Sequence, residues 1–250
     1  MESQIAIDAS WCDRTSRLLG GEAVTVLGRS RVLVVGVGGV GGYAVEMLAR
    51  SGIGHLTLVD ADNVAMSNLN RQLIALRTTL GRPKTELFAE RCRDINPEIE
   101  VDARQEFLTV DNVESLLDSA PFDYVIDCID TVAPKVALLT ACRRRHLRVI
   151  SSMGAGGRVD PTKVGYMRLD ETREDGLARA VRQRLKKMGV RPDIKVVASV
   201  EAPRISSLIE ENGKRNKQTS YGTLAAVPAV FGILLANHVI LKLADYDKAR

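Results

Sequence analysis

The chain has 250 residues, 45% of them hydrophobic, which is enough for one sizeable core without a split into separate domains. A net charge of +4 permits an anionic partner and excludes a histone-like polycation. The four cysteines, Cys12, Cys92, Cys128 and Cys142, form no Cys-x-x-Cys pair, so neither a zinc site nor a disulfide framework is legible, and scattered thiols fit a reducing compartment.

Helical signals cover residues 8–29, with Trp11, Leu18, Leu19 and Val26 as apolar anchors. A β-branched run over 31–35 ends in glycines and reads as a buried parallel strand entering a tight turn. Ala44, Val45, Leu48 and Ala49 recur at helical spacing over 40–50, and Gly52 and Gly54 stop that helix. A second strand follows over 56–60, then loop and short helix over 61–83. An amphipathic helix over 84–96 places Leu87, Phe88, Cys92 and Ile95 on one face. Strands at 100–103, 123–129 and 148–152 then alternate with helices at 110–118 and 134–145. This alternation predicts an α/β fold of the Rossmann-like kind, a mainly parallel central sheet with helices on both faces.

The pattern changes after Gly157. Residues 163–169 and 195–200 read as strands antiparallel to the main sheet, separated by a basic helix over 177–188. Residues 203–220 are polar and read as loop-rich. An apolar run over 224–236 contains Pro228 and is too short to span a bilayer, so it reads as part of a buried closing helix over 224–243. The start, Met1-Glu2-Ser3-Gln4, has no basic region followed by an apolar core. The expectation is one unit with N-terminal helices at 8–29, a core at 30–157 and a variable insertion and closing helix at 158–250. It is expected to be cytoplasmic, with no membrane partner.

Gly36, Gly38 and Gly41 form a Gly-x-Gly-x-x-Gly turn, with Gly39 beside them, between a strand and a helix. Such a turn lets backbone approach phosphate closely and aims free N–H groups at it. Asp60, at the end of the next strand, can accept hydrogen bonds from ribose hydroxyls. NAD and ATP both fit this pair of features. Arg71 and Lys84 favour ATP, because a triphosphate concentrates more charge than a pyrophosphate and calls for side-chain cations. Asp130, at the end of the fourth strand, suits a magnesium ion shared with phosphates, or equally a helix N-cap.

With these pieces goes a wider set: Gly36-Val-Gly-Gly-Val-Gly41, Asp60-Ala-Asp62, Ser67-Asn-Leu-Asn-Arg-Gln72, Gly81-Arg-Pro-Lys84, Ile95-Asn-Pro97 and Asp127-Cys-Ile-Asp130. The chain thereby resembles the adenylating enzymes of the ubiquitin-activating (E1-like) superfamily, closely over 14–157. The resemblance implies ATP and Mg2+ as cofactors. It implies that Gly39 and Gly41 approach the phosphates and that Asp60, with Asp62 nearby, holds the ribose. Asn68, Asn70, Arg71, Gln72 and Lys84 would line the phosphates, and Asp130 would hold magnesium. It also implies that Arg17 enters the ATP site of a partner subunit, and hence a homodimer. The implied chemistry is attack of a carboxylate on the ATP α-phosphate, with the protein positioning and neutralising.

Many superfamily members add a zinc-binding pair of Cys-x-x-Cys motifs or a late cysteine for thioester or persulfide chemistry; the last cysteine here is Cys142. Gly154-Ala-Gly-Gly-Arg-Val-Asp-Pro161 and the segment from Gly176 to Lys187 instead resemble the branch that dehydrates threonylcarbamoyladenosine in tRNA. That branch adenylates the nucleoside carboxylate. An internal nitrogen or oxygen of the carbamoyl group then closes a ring and expels AMP. The implied partner is threonylcarbamoyl-modified, ANN-decoding tRNA. Basic clusters at 143–148, 179–187 and 214–217 are compatible with it, though each also reads as a solvated face. The best-known members of the branch carry a longer insertion and a C-terminal cysteine that this chain lacks, which leaves a sulfur-transfer partner an open reading. The alternative is adenylation of the Gly-Gly terminus of a ubiquitin-like carrier, and a redox role with NAD is the third reading.

Overall fold

In the computed structural model, the described residues are 9–204, 208–210 and 219–245. The strands are β1 (Arg31–Val35), β2 (His55–Val59), β3 (Glu100–Arg104), β4 (Tyr124–Asp127), β5 (Val149–Ser152), β6 (Val164–Arg168), β7 (Lys195–Ser199), β8 (Leu208–Glu210) and β9 (Thr219–Tyr221). The helices are α1 (Asp13–Leu19), α2 (Gly21–Arg29), α3 (Gly41–Arg50), α4 (Lys84–Ile95), α5 (Val113–Asp118), α6 (Val132–Arg144), α7 (Gly176–Lys187) and α8 (Ala226–Leu243).

β1 is buried on both faces, and this is why it is an unbroken apolar run rather than an alternating one. Val32 and Val34 face a core shared with α3, α4 and α8, whereas Leu33 and Val35 face a second core shared with α5 and α6. The seven-stranded sheet has the order β3-β2-β1-β4-β5-β7-β6. Chain order reverses between β1 and β4, so a crevice opens beyond their C-terminal ends, where nucleotides bind in such sheets.

Of the two late strands expected to be antiparallel to the sheet, only β6 is. β7 runs parallel to β5, and β6 pairs antiparallel with β7. The chain leaves the C-terminal end of β5 and comes back down the sheet through β6, so β7, antiparallel to β6, runs parallel to β5. The helical signal over 8–29 is broken at Gly20 (φ +90°), whose N–H closes α1 by donating to the Ser16 carbonyl at 2.8 Å. Within the polar stretch 203–220, β8 pairs antiparallel with β9, apart from the main sheet. The cluster at 214–217 lies outside the described residues.

α8 is long and apolar enough to cross a membrane, but half of it is buried inside the fold. Val227, Phe231, Leu235, Ala236 and Val239 are fully buried. Gly232 lets α8 press on α3, since a Cβ there would lie 2.2 Å from the Val40 carbonyl oxygen.

Candidate active site

The glycines of the turn fall into two kinds. Gly36 has φ +86°, and a Cβ on it would stand 2.9 Å from the Cys128 carbonyl oxygen of the neighbouring strand end. A Cβ on Gly41 would stand 1.8 Å from the Gly36 carbonyl oxygen. These two residues close the turn and seat the start of α3 upon it. At Gly38 and Gly39 the nearest atoms are Gln72 Nε2 at 3.6 Å and Arg71 Cγ at 3.5 Å, ordinary contact distances. Packing does not require glycine there. The bare backbone instead leaves the N-terminus of α3 open to an anion beside the 71–72 segment.

Asp60, at the end of β2, ties the turn to the next loop. One carboxylate oxygen accepts from Val37 N–H and the other from Asp62 N–H, each at 2.8 Å. Burial raises its pKa, while Lys84 and these hydrogen bonds oppose the rise. The loop 61–83 doubles back so that Lys84 opens α4 beside it. Lys84 is buried, its N–H donates to the Asp62 carbonyl, and its Nζ lies 2.8 Å from Asp62 Oδ2. The cation is thus held by an exposed carboxylate at the crevice.

Residues 67–72 supply the opposite wall. Asn68 is buried and shapes the segment: its Oδ1 accepts from Ala65 N–H, and its carbonyl accepts from both Arg71 and Gln72 N–H. Asn70 Nδ2 donates to the Thr223 carbonyl at 3.0 Å, joining this wall to the segment that leads into α8. Arg71 Nη1 donates to Ser67 O and Asn70 Oδ1, and Arg71 forms no ion pair with a described carboxylate. Gln72 is buried, and its Oε1 has no hydrogen-bond partner among the described residues, an arrangement that costs about 1–3 kcal/mol.

Asp130 stands exposed just past β4. Thr131, not Asp130, is the residue preceding the first turn of α6. Among the described residues no group of three or more His, Cys, Asp or Glu side chains could hold a metal alone. An exposed carboxylate at this strand end fits a magnesium ion, which is commonly bound by one or two carboxylates plus substrate phosphates. Arg17 lies apart from all of these, exposed on α1 and paired with Asp13 at 2.8 Å.

The sequence reading missed a buried cluster beneath Asp130. Lys135 Nζ donates to Asp127 Oδ2 at 2.6 Å, to Ser151 Oγ at 2.9 Å and to the Ser152 carbonyl at 2.9 Å. Asp127 Oδ1 accepts from Ile129 N–H at 3.0 Å, which curls the loop that carries Asp130. The signal was present: Lys135 is a lone charge among Pro134, Val136, Ala137, Leu138 and Leu139. A thiol route finds no support here, because burial pushes Cys92 and Cys142 up to about 12 and raises Cys128 as well.

A glycine turn, a carboxylate at the next strand end, two cations and a carboxylate past β4 define a nucleotide-binding α/β protein of the adenylating type. The chain belongs to the ThiF family, whose model matches residues 13–250. It is 40% identical over 237 residues to the tRNA threonylcarbamoyladenosine dehydratase of Bacillus subtilis, covering 92% of this chain and 93% of that one. The crystal structure of the Escherichia coli tRNA N6-threonylcarbamoyladenosine dehydratase TcdA in complex with ATP superposes with a TM-score of 0.86 at 36% identity, covering 98% of this chain and all of that one. The sulfur carrier protein ThiS adenylyltransferase of Escherichia coli is similar over a shorter stretch, 36% identical over 132 residues, or 52% of this chain.

Proposed function

We propose that this chain is an ATP-dependent tRNA threonylcarbamoyladenosine dehydratase. The observation that carries the reading is the extent of the likeness. Similarity to the dehydratases runs through the late segments around Gly154–Pro161 and α7, whereas that to the sulfur-carrier enzyme covers about half the chain. The substrate carboxylate attacks the ATP α-phosphate and releases pyrophosphate. A carbamoyl nitrogen or oxygen then attacks the activated carbonyl, closes the ring and expels AMP, so that the nucleoside loses one water.

In this account the protein positions groups and neutralises charge and supplies no side-chain nucleophile. Gly38 and Gly39 present backbone N–H groups to the phosphates. Asp60 keeps a lone pair on each oxygen for ribose hydroxyls. Arg71 and Lys84 face the phosphates, with Asn68, Asn70 and Gln72 shaping that wall and Asp62 holding Lys84. Magnesium held by Asp130 would neutralise phosphate charge. Arg17, exposed and remote within one protomer, acts on the site of a second copy in a homodimer. The whole chain works as one adenylation unit in the cytoplasm.

The test is exchange of labelled pyrophosphate into ATP, stimulated either by threonylcarbamoyl-modified tRNA or by a ubiquitin-like carrier ending in Gly-Gly. Stimulation by the tRNA alone is expected. Stimulation by the carrier alone would replace this reading with the carrier-activating one.

A further inference from the structure

The basic clusters differ in what the fold does with them. In the 143–148 cluster, Arg143 pairs with Asp193, Arg144 with Glu114, and Arg145 with both Glu114 and Asp118. Those three charges are spent on neighbours, whereas Arg148 is exposed and makes no ion pair with a described carboxylate. From Gly176 to Pro192 the sequence holds six Lys and Arg residues and no acidic one. Arg182 turns inward and donates to the Leu169 and Thr172 carbonyls. Arg179, Gln183, Lys186 and Lys187 share the outer face of α7, opposite buried Ala178, Val181 and Leu185. Arg179, Lys186 and Lys187 are exposed and make no ion pair with a described carboxylate. Asp170, whose field reaches Lys186, is already held by Arg168 at 2.7 Å.

Hydrogen bonds connect this face to the crevice. Asp175 caps α7 by accepting from Ala178 N–H at 2.8 Å, and its other oxygen accepts from Gly154 N–H at 2.9 Å. Arg158, itself buried, reaches Asp175 at 3.4 Å and the Glu174 and Glu201 carbonyls at 2.9 and 3.0 Å. Gly154 follows β5, the strand next to the one that carries Asp130. The cations from Arg179 to Lys187 therefore run about 12 Å along a helix whose start is anchored at the edge of the reaction crevice.

We propose that the outer face of α7, through Arg179, Lys186 and Lys187, binds the phosphate backbone of the tRNA substrate. Little aromatic surface accompanies these cations, so the contact is electrostatic and indifferent to base sequence. The inference rests on the tRNA reading above, and the experiment separates the two. Binding of threonylcarbamoyl-modified tRNA is measured across a salt series for the full chain, for the Arg179→Gln/Lys186→Gln/Lys187→Gln variant and for Arg144→Gln, with ATP affinity measured alongside. The α7 variant is expected to bind tRNA roughly tenfold or more weakly, with a shallower salt slope and unchanged ATP affinity, while Arg144→Gln binds like the parent. Equal tRNA affinity and salt slope in parent and α7 variant would overturn the assignment of this face and leave the tRNA reading standing. A parent protein that binds no tRNA but binds polyglutamate through α7 would overturn both and assign the face to an acidic protein.

Discussion

Lys135 and Asp127 form an ion pair of 2.6 Å with both side chains fully buried, directly beneath the loop that presents Asp130. Together with Ser151 and the Ser152 carbonyl, the pair joins the ends of β4 and β5. Removing one member leaves the other as an uncompensated buried charge, at a cost of about 3–5 kcal/mol. Lys135→Met is expected to lower the melting temperature by roughly 6–20 °C for a chain of this size. Thermal unfolding followed by circular dichroism measures this, and an unchanged melting temperature would show that the pair is not an anchor.

The two kinds of glycine predict two kinds of failure. Gly41→Ala puts a methyl group 1.8 Å from a backbone oxygen, so both stability and ATP binding fall. Gly38→Ala meets only Gln72 Nε2 at 3.6 Å, so the melting temperature stays near the parent value while ATP affinity drops. Calorimetric titration with ATP alongside melting curves distinguishes them. Equal destabilisation by both substitutions would contradict the division.

Asp130 and Arg17 are predicted to fail in complementary ways. Asp130→Ala abolishes adenylation and leaves the fold intact, since Asp130 is exposed while Asp127 below it carries the buried pair. Arg17→Ala also loses activity, but regains part of it in mixed dimers with Asp130→Ala, where one intact site can assemble. Mixed dimers with no activity above the parent variants would place Arg17 outside a shared site.

Glu46 links the helix that follows the glycine turn to the helix that starts at Lys84. It accepts from Arg50 at 2.7 Å and from Arg91 at 2.6 and 2.9 Å. Burial alone would raise its pKa, but the Arg91 and Arg50 hydrogen bonds and charges outweigh it and hold the carboxyl below its ordinary value of 4.5. A depressed folded value means stabilisation that is fully present above 4.5 and is lost as pH falls through the folded value. Glu46→Gln should lower stability at neutral pH and flatten its decline on acidification below 4.5. Urea midpoints across that range provide the check, and parallel curves for parent and variant would refute the linkage.

Most of the fold could be read from periodicity, because buried parallel strands such as Arg31–Val35 are continuous apolar runs and the intervening helices carry clear faces. The direction of β7 was not legible, since it follows from the antiparallel pairing with β6 rather than from the strand's own residues. The site's near-sequence parts, the glycine turn, Asp60 and the 67–72 segment, were legible as motifs. Their mutual ties were not. Asn70 reaches Thr223, more than a hundred and fifty positions on, and no local pattern announces that contact. The Lys135 cluster was visible only as a misplaced charge, and the contrast between spent and unspent arginines required the carboxylates of other elements.

Incubation of the protein with ATP, magnesium and threonylcarbamoyl-modified tRNA, followed by digestion of the tRNA and weighing of the modified nucleoside, decides whether the chain is a dehydratase. The expected nucleoside is lighter by one water and forms with release of AMP and pyrophosphate. A nucleoside of unchanged mass in the presence of protein that binds ATP would contradict that function.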